Sequence, residues 1–319
     1  MHEFRLIKKY FTKLSKNNKG SLRLNDDVFF DKSKKLVISV DTYVNGTHFV
    51  DFKRPDLVIK KIIRSSISDL ICKGVKPLYY FISGSGNKKT FTDSNLKKIS
   101  KSLGQEQNKY KILLCGGDTV LSNKLSFTIT SVGYSKKIIH RNNAKFNDDI
   151  YVTGNLGDSY AGLEILRKNI STKKSLKKYF IDKYYLPKLH PNLINNLLSF
   201  ANTSIDISDG LVTDLEKLIN KQKLSYQLIF DKIPISKSLE QLIRSKKLSK
   251  KNFISQGDDY QILFTANSSK SRIIANIGKS LNIKISKIGK ICSISQKSQI
   301  IDQNGKKIRL INKGYYHQF

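Results

Sequence analysis

The chain has 319 residues, with 58 Lys and Arg against 25 Asp and Glu, giving a formal net charge of +33 and a pI near 9.9. Sixteen Phe, 15 Tyr and many Ile and Leu exclude a disordered polymer, while 18 Gly and 5 Pro exclude a collagen-like or linker-dominated chain. Apolar runs are short, as at Leu36–Val40 and Tyr79–Ile82, so no segment reaches membrane-spanning length.

This length suits one large or two medium domains with a substantial core. The first residues, MHEFRLIKKYFTKLSK, space Phe4, Ile7, Tyr10, Phe11 and Leu14 as a helix and contain no long apolar stretch of a secretory signal. Next comes RLNDDVFF (23–30). LVISV (36–40) reads as a buried strand ending in a turn at Asp41, and His48 follows Asn45-Gly46-Thr47 as an ordinary turn histidine. VIKKIIRSSISDLICKG (58–74) has helical apolar spacing, carries Asp69 and stops at Gly74. SGSG (83–86) reads as a surface loop; it has the wrong spacing for a Walker phosphate cradle, which is absent from the whole chain. KILLC (111–115) reads as a second buried strand, with Gly116-Gly117-Asp118 as its turn.

The second half repeats the theme. GNLGDSYAGLEIL (154–166) is a glycine turn entering an amphipathic helix. TSIDISDGL alternates as a strand, leaving Asp206 and Asp209 at or beyond its end before the helical spacing of Leu211, Leu215 and Leu218. His140, His190 and His317 have no metal-ligand spacing, and His190-Pro191 reads as a loop. Cys72, Cys115 and Cys292 share no CxxC, which points to reduced thiols in a cytoplasmic protein rather than a disulfide framework or zinc site.

Lysines are spread throughout, as in KKSLKK (173–178) and KKLSKK (246–251), and form no aromatic-interleaved stripe. That pattern implies only non-specific, salt-sensitive attraction to nucleic acid. The informative feature is where lysine is missing. Segments 23–30, 36–49, 65–71, 113–120, 151–163, 203–215 and 255–265 hold 74 residues with one basic side chain, Arg23, yet 11 of the 25 acidic residues. Buried elements avoid aspartate unless it is paired or metal-bound. Carboxylates at the ends of several elements can converge on hard cations, and oxygen ligands with waters suit Mg²⁺ accompanying a phosphate. Helix caps and turns remain the alternative for any single aspartate.

Six pieces in register, DTYVNGTHF (41–49), SDLICKGVKP (68–77), GGDT (116–119), VTGNLGDSYAGLEIL (152–166), IDISDGLVTDL (205–215) and GDDYQILFT (257–265), resemble the thiamine-monophosphate kinase family. That family belongs to the ATP-dependent group that includes aminoimidazole ribonucleotide synthetase and selenophosphate synthetase. The resemblance runs nearly end to end. It implies an α/β (α+β) fold of two domains: residues 1–148 binding ATP and magnesium, with a sheet that pairs with a second subunit's in a homodimer, and residues 149–319 covering the cleft. It implies several Mg²⁺ ions held by Asp27, Ser39, the Val40 carbonyl, Asp41, Asp69, Asp118, Asp206 and Asp209, with Asp69, Asp118 and Asp209 central to catalysis. Gly117, Asp118, Arg141 and Ser208 would meet ATP; His48, Asp258 and Tyr315 would face thiamine monophosphate. Departures stand at Arg23-Leu24-Asn25, where the family has glycines before its Asp pair, at Ser66 for Asn and at Asp258 for Glu.

The implied reaction passes the γ-phosphoryl group of ATP to a phosphate acceptor. A phosphate monoester's second pKa is about 6, so its oxygen is already charged at neutral pH and no nucleophilic serine or cysteine is needed. The difficulty is repulsion. Two unit charges 4 Å apart cost about 4 kcal/mol at an effective dielectric of 20, and two dianions about 16 kcal/mol. Several cations held by an acidic cluster offset more than one arginine could. Alternatives are another ATP-dependent synthetase of the same group, or a degenerate homologue that binds polyanions.

Overall fold

The computed structural model describes residues 3–310 together with Gly314 and Tyr315; Tyr316 and His317 lie outside the described residues. The elements in chain order are α1 (Glu3–Leu6), β1 (Phe29–Asp31), β2 (Leu36–Val44), α2 (Pro55–Cys72), β3 (Pro77–Gly86), α3 (Asp93–Tyr110), β4 (Leu113–Leu121) and β5 (Ser126–Tyr134). They continue with β6 (Asp149–Thr153), α4 (Asp158–Leu166), α5 (Lys174–Tyr185), α6 (Ile194–Phe200), β7 (Ala201–Asp206), α7 (Leu211–Leu218) and β8 (Leu224–Ile229). Last come α8 (Lys237–Lys246), α9 (Lys250–Ile254), β9 (Ile262–Ala266), α10 (Ser271–Ser280), β10 (Ile285–Ser293) and β11 (Gln299–Ile301).

The strands form two mixed sheets. The first has the order β1-β2-β5-β3-β4, antiparallel except for the parallel β3–β4 edge. The second has the order β11-β8-β10-β6-β9-β7, antiparallel except for β11–β8. All strands of the first sheet precede residue 135 and all strands of the second begin at 149 or later. This is the mixed α/β architecture that the sequence implied.

Helix α2 explains how the halves join. Its isoleucines, Ile59, Ile62, Ile63, Ile67 and Ile71, are fully covered, but so are Lys61, Arg64, Ser65, Ser66 and Ser68 on its other sides. A helix covered all round lies between layers: α2 packs on β2 and β5 of the first sheet and touches β7 and α5 of the second half. Its buried arginine is matched. Arg64 donates from Nε and Nη2 to the two carboxylate oxygens of Glu106 on α3 at 2.8 and 2.9 Å, and from Nη1 to the Pro187 carbonyl at 3.3 Å. One apolar cluster therefore runs from Tyr43 and Ile129 through α2 to Phe264.

Four expectations from sequence need correction. Strand β2 does not end at Asp41 but runs to Val44, because β5 continues to pair with it through Val44↔Ser126. The glycines 116 and 117 do not turn the chain: β4 extends through them to Leu121, paired in parallel with β3. Nor is β4 buried, since every one of its residues is exposed as the unpaired edge of the sheet. Finally, Ser83–Gly86 is not a loop but the end of β3, with Ser83 opposite Asp118 and Gly84 opposite Thr119.

Candidate active site

Between the two sheets lies a cavity of about 560 Å³. Strand alternation on β2 turns Val37, Ser39 and Tyr43 inward, and Asp41 shares their face. Asp69 comes from α2, and Asp206 from the last position of β7. Asp209 stands in the turn after β7; Gly210 makes that turn, with φ +127° and no room for a Cβ, which would fall 2.4 Å from the Ser255 carbonyl. Asp214 on α7 stabilises this turn by accepting from the backbone N–H of Asp209 at 2.9 Å and of Gly210 at 3.0 Å.

The carboxylates converge. Oxygens of Asp27, Asp69 and Asp206 come within 4.8 Å of one another. Ser39 donates to Asp69 and Ser68 donates to Asp206 in short hydrogen bonds. Burial pushes the Asp41 carboxyl up to about 6, against the opposing hydrogen bonds from Ser66, Tyr43 and Asp69. Asp206 is likewise raised to about 6 by burial, with Asp214 and Asp41 adding to the shift. Asp69 is held well above its ordinary range, first by burial and then by Asp41 and Asp206. Packed hard oxygen donors that resist ionisation together are the donor set a divalent cation would satisfy.

The cleft is not free of basic groups, as the sequence pattern suggested. Lys73, fully buried, contacts Asp26 and Asp27 at 2.7 Å each. Arg141 grips Asp27 through Nε at 3.1 Å and through Nη2, while its backbone N–H donates to Asp26 at 3.0 Å. Lys217 pairs with Asp209 and, at 2.7 Å, with Asp214. The i, i+3 spacing of Asp214 and Lys217 was a readable signal. Lys73 gave none.

At the other end of the cavity stand His48, Asp258 and Tyr315. Asp258 sits in the left-handed region at φ +67°, held by its own N–H on the Ser208 carbonyl at 2.8 Å. Its carboxylate meets Lys61 Nζ at 2.8 Å and accepts from the Tyr260 hydroxyl at 3.1 Å. Lys61 lies wholly buried, 3.8 Å from the Tyr184 ring centroid, and burial lowers its pKa despite Asp258. The Nδ1 of His48 accepts from the Val44 N–H at 3.0 Å. Tyr315 donates its N–H to the Asp209 carbonyl at 2.9 Å, which sets this residue against the cleft.

Thus Asp27, Val40, Asp41, Asp69, Arg141, Asp206, Ser208, Asp209, His48, Asp258 and Tyr315 border one cavity, with Ser39 buried just behind Asp69. Gly117 and Asp118 do not border it: they lie on β4 at the exposed edge. The segment before Asp26-Asp27 carries three consecutive left-handed residues that are not glycine, Leu22, Arg23 and Leu24, at φ +50°, +59° and +53°.

Two sheets enclosing a carboxylate-lined cleft fit a class that known proteins share. Residues 22–135 match the family model described as AIR synthase related protein, N-terminal domain. The chain is 36% identical over 326 residues to the thiamine-monophosphate kinase of Buchnera aphidicola subsp. Acyrthosiphon pisum, covering 99% of this chain and 98% of that protein. It is 31% identical over 298 residues to the thiamine-monophosphate kinase of Haemophilus influenzae, covering 91% and 89%. Among solved structures, AaThiL complexed with AMPPCP and TMP superposes with a TM-score of 0.86 at 24% identity, covering 99% of this chain and 97% of that one. The thiamine monophosphate kinase of Aquifex aeolicus superposes with a TM-score of 0.79 at 25% identity, covering 96% and 97%. The chain belongs to the thiamine-monophosphate kinase family.

Proposed function

We propose that this protein transfers the γ-phosphoryl group of ATP to the phosphate of thiamine monophosphate, releasing ADP and thiamine diphosphate. The observation that carries the reading is the convergence of the Asp27, Asp69 and Asp206 oxygens in a cavity between the sheets, in a chain of this family. Magnesium ions would be held by Asp27, Ser39, the Val40 carbonyl, Asp41, Asp69, Asp206 and Asp209, with Asp118 supplied from β4 of a second copy of the chain. When bound, they supply the charge neutralisation that lets one polyanion approach another. The carboxylates hold the cations and the cations hold phosphate, which reconciles an acidic cleft with anionic substrates.

The remaining residues position and select. Arg141 and Ser208 border the cavity on the acidic side, where they support a role at the triphosphate. Asp258, oriented by Lys61 and Tyr260, offers a carboxylate to the cationic thiamine moiety. Its side chain is one methylene shorter than glutamate, and its left-handed backbone fixes where the short side chain starts. His48 and Tyr315 complete that wall. A general base is unnecessary because the acceptor phosphate is already ionised near neutral pH. We also propose a homodimer built on the first sheet. Its support is the exposed β4 edge together with apolar side chains left open on the same sheet: Tyr79, Phe81, Leu114 and Tyr134. No helix among the described residues is long and apolar enough to cross a membrane. The cytoplasm is the proposed setting, with three free cysteines in keeping with it.

The test is direct. Purified protein with ATP, Mg²⁺ and thiamine monophosphate should yield thiamine diphosphate and ADP in equal amounts. Thiamine lacking the phosphate should not be an acceptor, because its neutral hydroxyl, unlike the acceptor phosphate, brings no ionised oxygen near neutral pH. ATP turnover that ignores thiamine monophosphate but responds to another acceptor would overturn the assignment.

A further inference from the structure

Lys73 caps the C-terminus of α2, four residues after Asp69, and its side chain is wholly buried. Its ammonium has three acceptors at 2.7 Å: Asp26 Oδ1, Asp27 Oδ2 and the Ser204 carbonyl. Three N–H donors meet three oxygens, so the group's hydrogen-bonding capacity is spent inside the protein. The two carboxylates are themselves buried, their side chains 4% and 9% exposed. A buried charge persists only when it is matched.

The acidic cleft therefore divides in two. Asp26 and Asp27 face Lys73 and Arg141, two negative charges against two positive. Asp69 and Asp206 are met by the serine hydroxyls of Ser39 and Ser68 instead. Asp27 stands at the seam, sharing the oxygen cluster with Asp69 and Asp206 while held by the two cations.

We propose that Lys73 is a built-in counter-ion of the metal cleft. It permanently supplies part of the positive charge that Asp26 and Asp27 need, at Asp26 Oδ1 and Asp27 Oδ2, so that fewer divalent cations are required while Asp27 still shares in the metal cluster. Through those pairs it holds the 22–28 segment against the cleft before any metal arrives. The inference rests on the reading that the cleft binds divalent cations.

Lys73→Met keeps the unbranched shape and most of the length of the side chain and removes the charge. Without nucleotide, Mn²⁺ binding followed by paramagnetic resonance should show one additional ion, or about tenfold tighter binding or better, in the variant than in the wild type. Thermal unfolding should agree: Mg²⁺ should raise the melting temperature of Lys73→Met more than that of the wild type. A variant that folds only when purified with Mg²⁺ would also support the proposal. Lys73→Met/Asp26→Asn, which removes one charge of each sign, should return Mn²⁺ binding to the wild-type pattern. The proposal is overturned if Lys73→Met binds Mn²⁺ as the wild type does, if Mg²⁺ fails to relieve its instability, or if the double variant behaves like the single one. A wild type that binds no Mn²⁺ at all would instead overturn the underlying metal reading.

Discussion

Arg23 shows how a single side chain can conflict with the backbone it occupies. It is exposed, yet it sits at φ +59° between two other left-handed residues. A Cβ in that region costs about 1–2 kcal/mol, and glycine gives back part of that gain through its more flexible unfolded state. Arg23→Gly should therefore raise stability by about 0.5–1 kcal/mol in urea unfolding; a loss of stability would show that the arginine makes a contact outweighing the strain. His190 is a second case. It is 5% exposed, and its Nε2 lies 3.0 Å from Gln261 Oε1. Burial lowers its pKa below the ordinary 6.5, Gln261 opposes the shift, and Lys188 adds to it. The unfolded chain takes up the proton first, so stability should fall as pH drops below about 6.5. His190→Gln should lose less stability than the wild type between about pH 7 and pH 5, and equal losses would refute the argument. Among residues, the sequence told most about the aspartates, because a carboxylate inside an apolar pattern needs a reason. Lys73 was invisible: among 58 basic residues, a buried one looks like any other.

Elements were legible where one pattern had one meaning. The period of α2 and the alternation of β7 gave both their type and the positions of Asp69 and Asp206, since a carboxylate's place on an element follows from its spacing. The β4 segment misled because Leu113, Leu114, Val120 and Leu121 announce that they avoid water without saying which surface covers them. Its paired glycines suggested a turn, yet the second of them, Gly117, serves close approach. A Cβ on Gly117 would lie 1.7 Å from the Ile82 carbonyl oxygen, so β4 can lie beside β3 in this register only with glycine there. Gly117→Ala should therefore cost about 1–3 kcal/mol by forcing the strands apart. The loss should appear as faster amide exchange on β3 and β4 than in the second sheet. Unchanged exchange in β4 would mean that the edge strand is held by something other than this pairing. Strand β2 overran its expected end for a related reason: partner length, which no local pattern records, decides where a strand stops.

At the scale of the molecule, the unresolved tension is Asp118. It belongs with the acidic residues by sequence, but its strand faces solvent while the others border the cavity. A second copy laid against the exposed edge and open face of the first sheet would remove both difficulties, burying those apolar side chains and making Asp118 available to a cleft it does not reach from within its own chain. Leu114→Lys should then give a folded monomer in light scattering, since a charge on the edge discourages strand association. Subunit exchange provides the sharper test. Asp118→Asn and Asp206→Asn homodimers should each be inactive. If Asp118 serves the opposite subunit, the mixed dimer carries one site with both changes and one with neither, so an equimolar mixture should recover about a quarter of wild-type turnover. A mixture as inactive as its components would place Asp118 in the cleft of its own chain and require β4 to move when nucleotide binds.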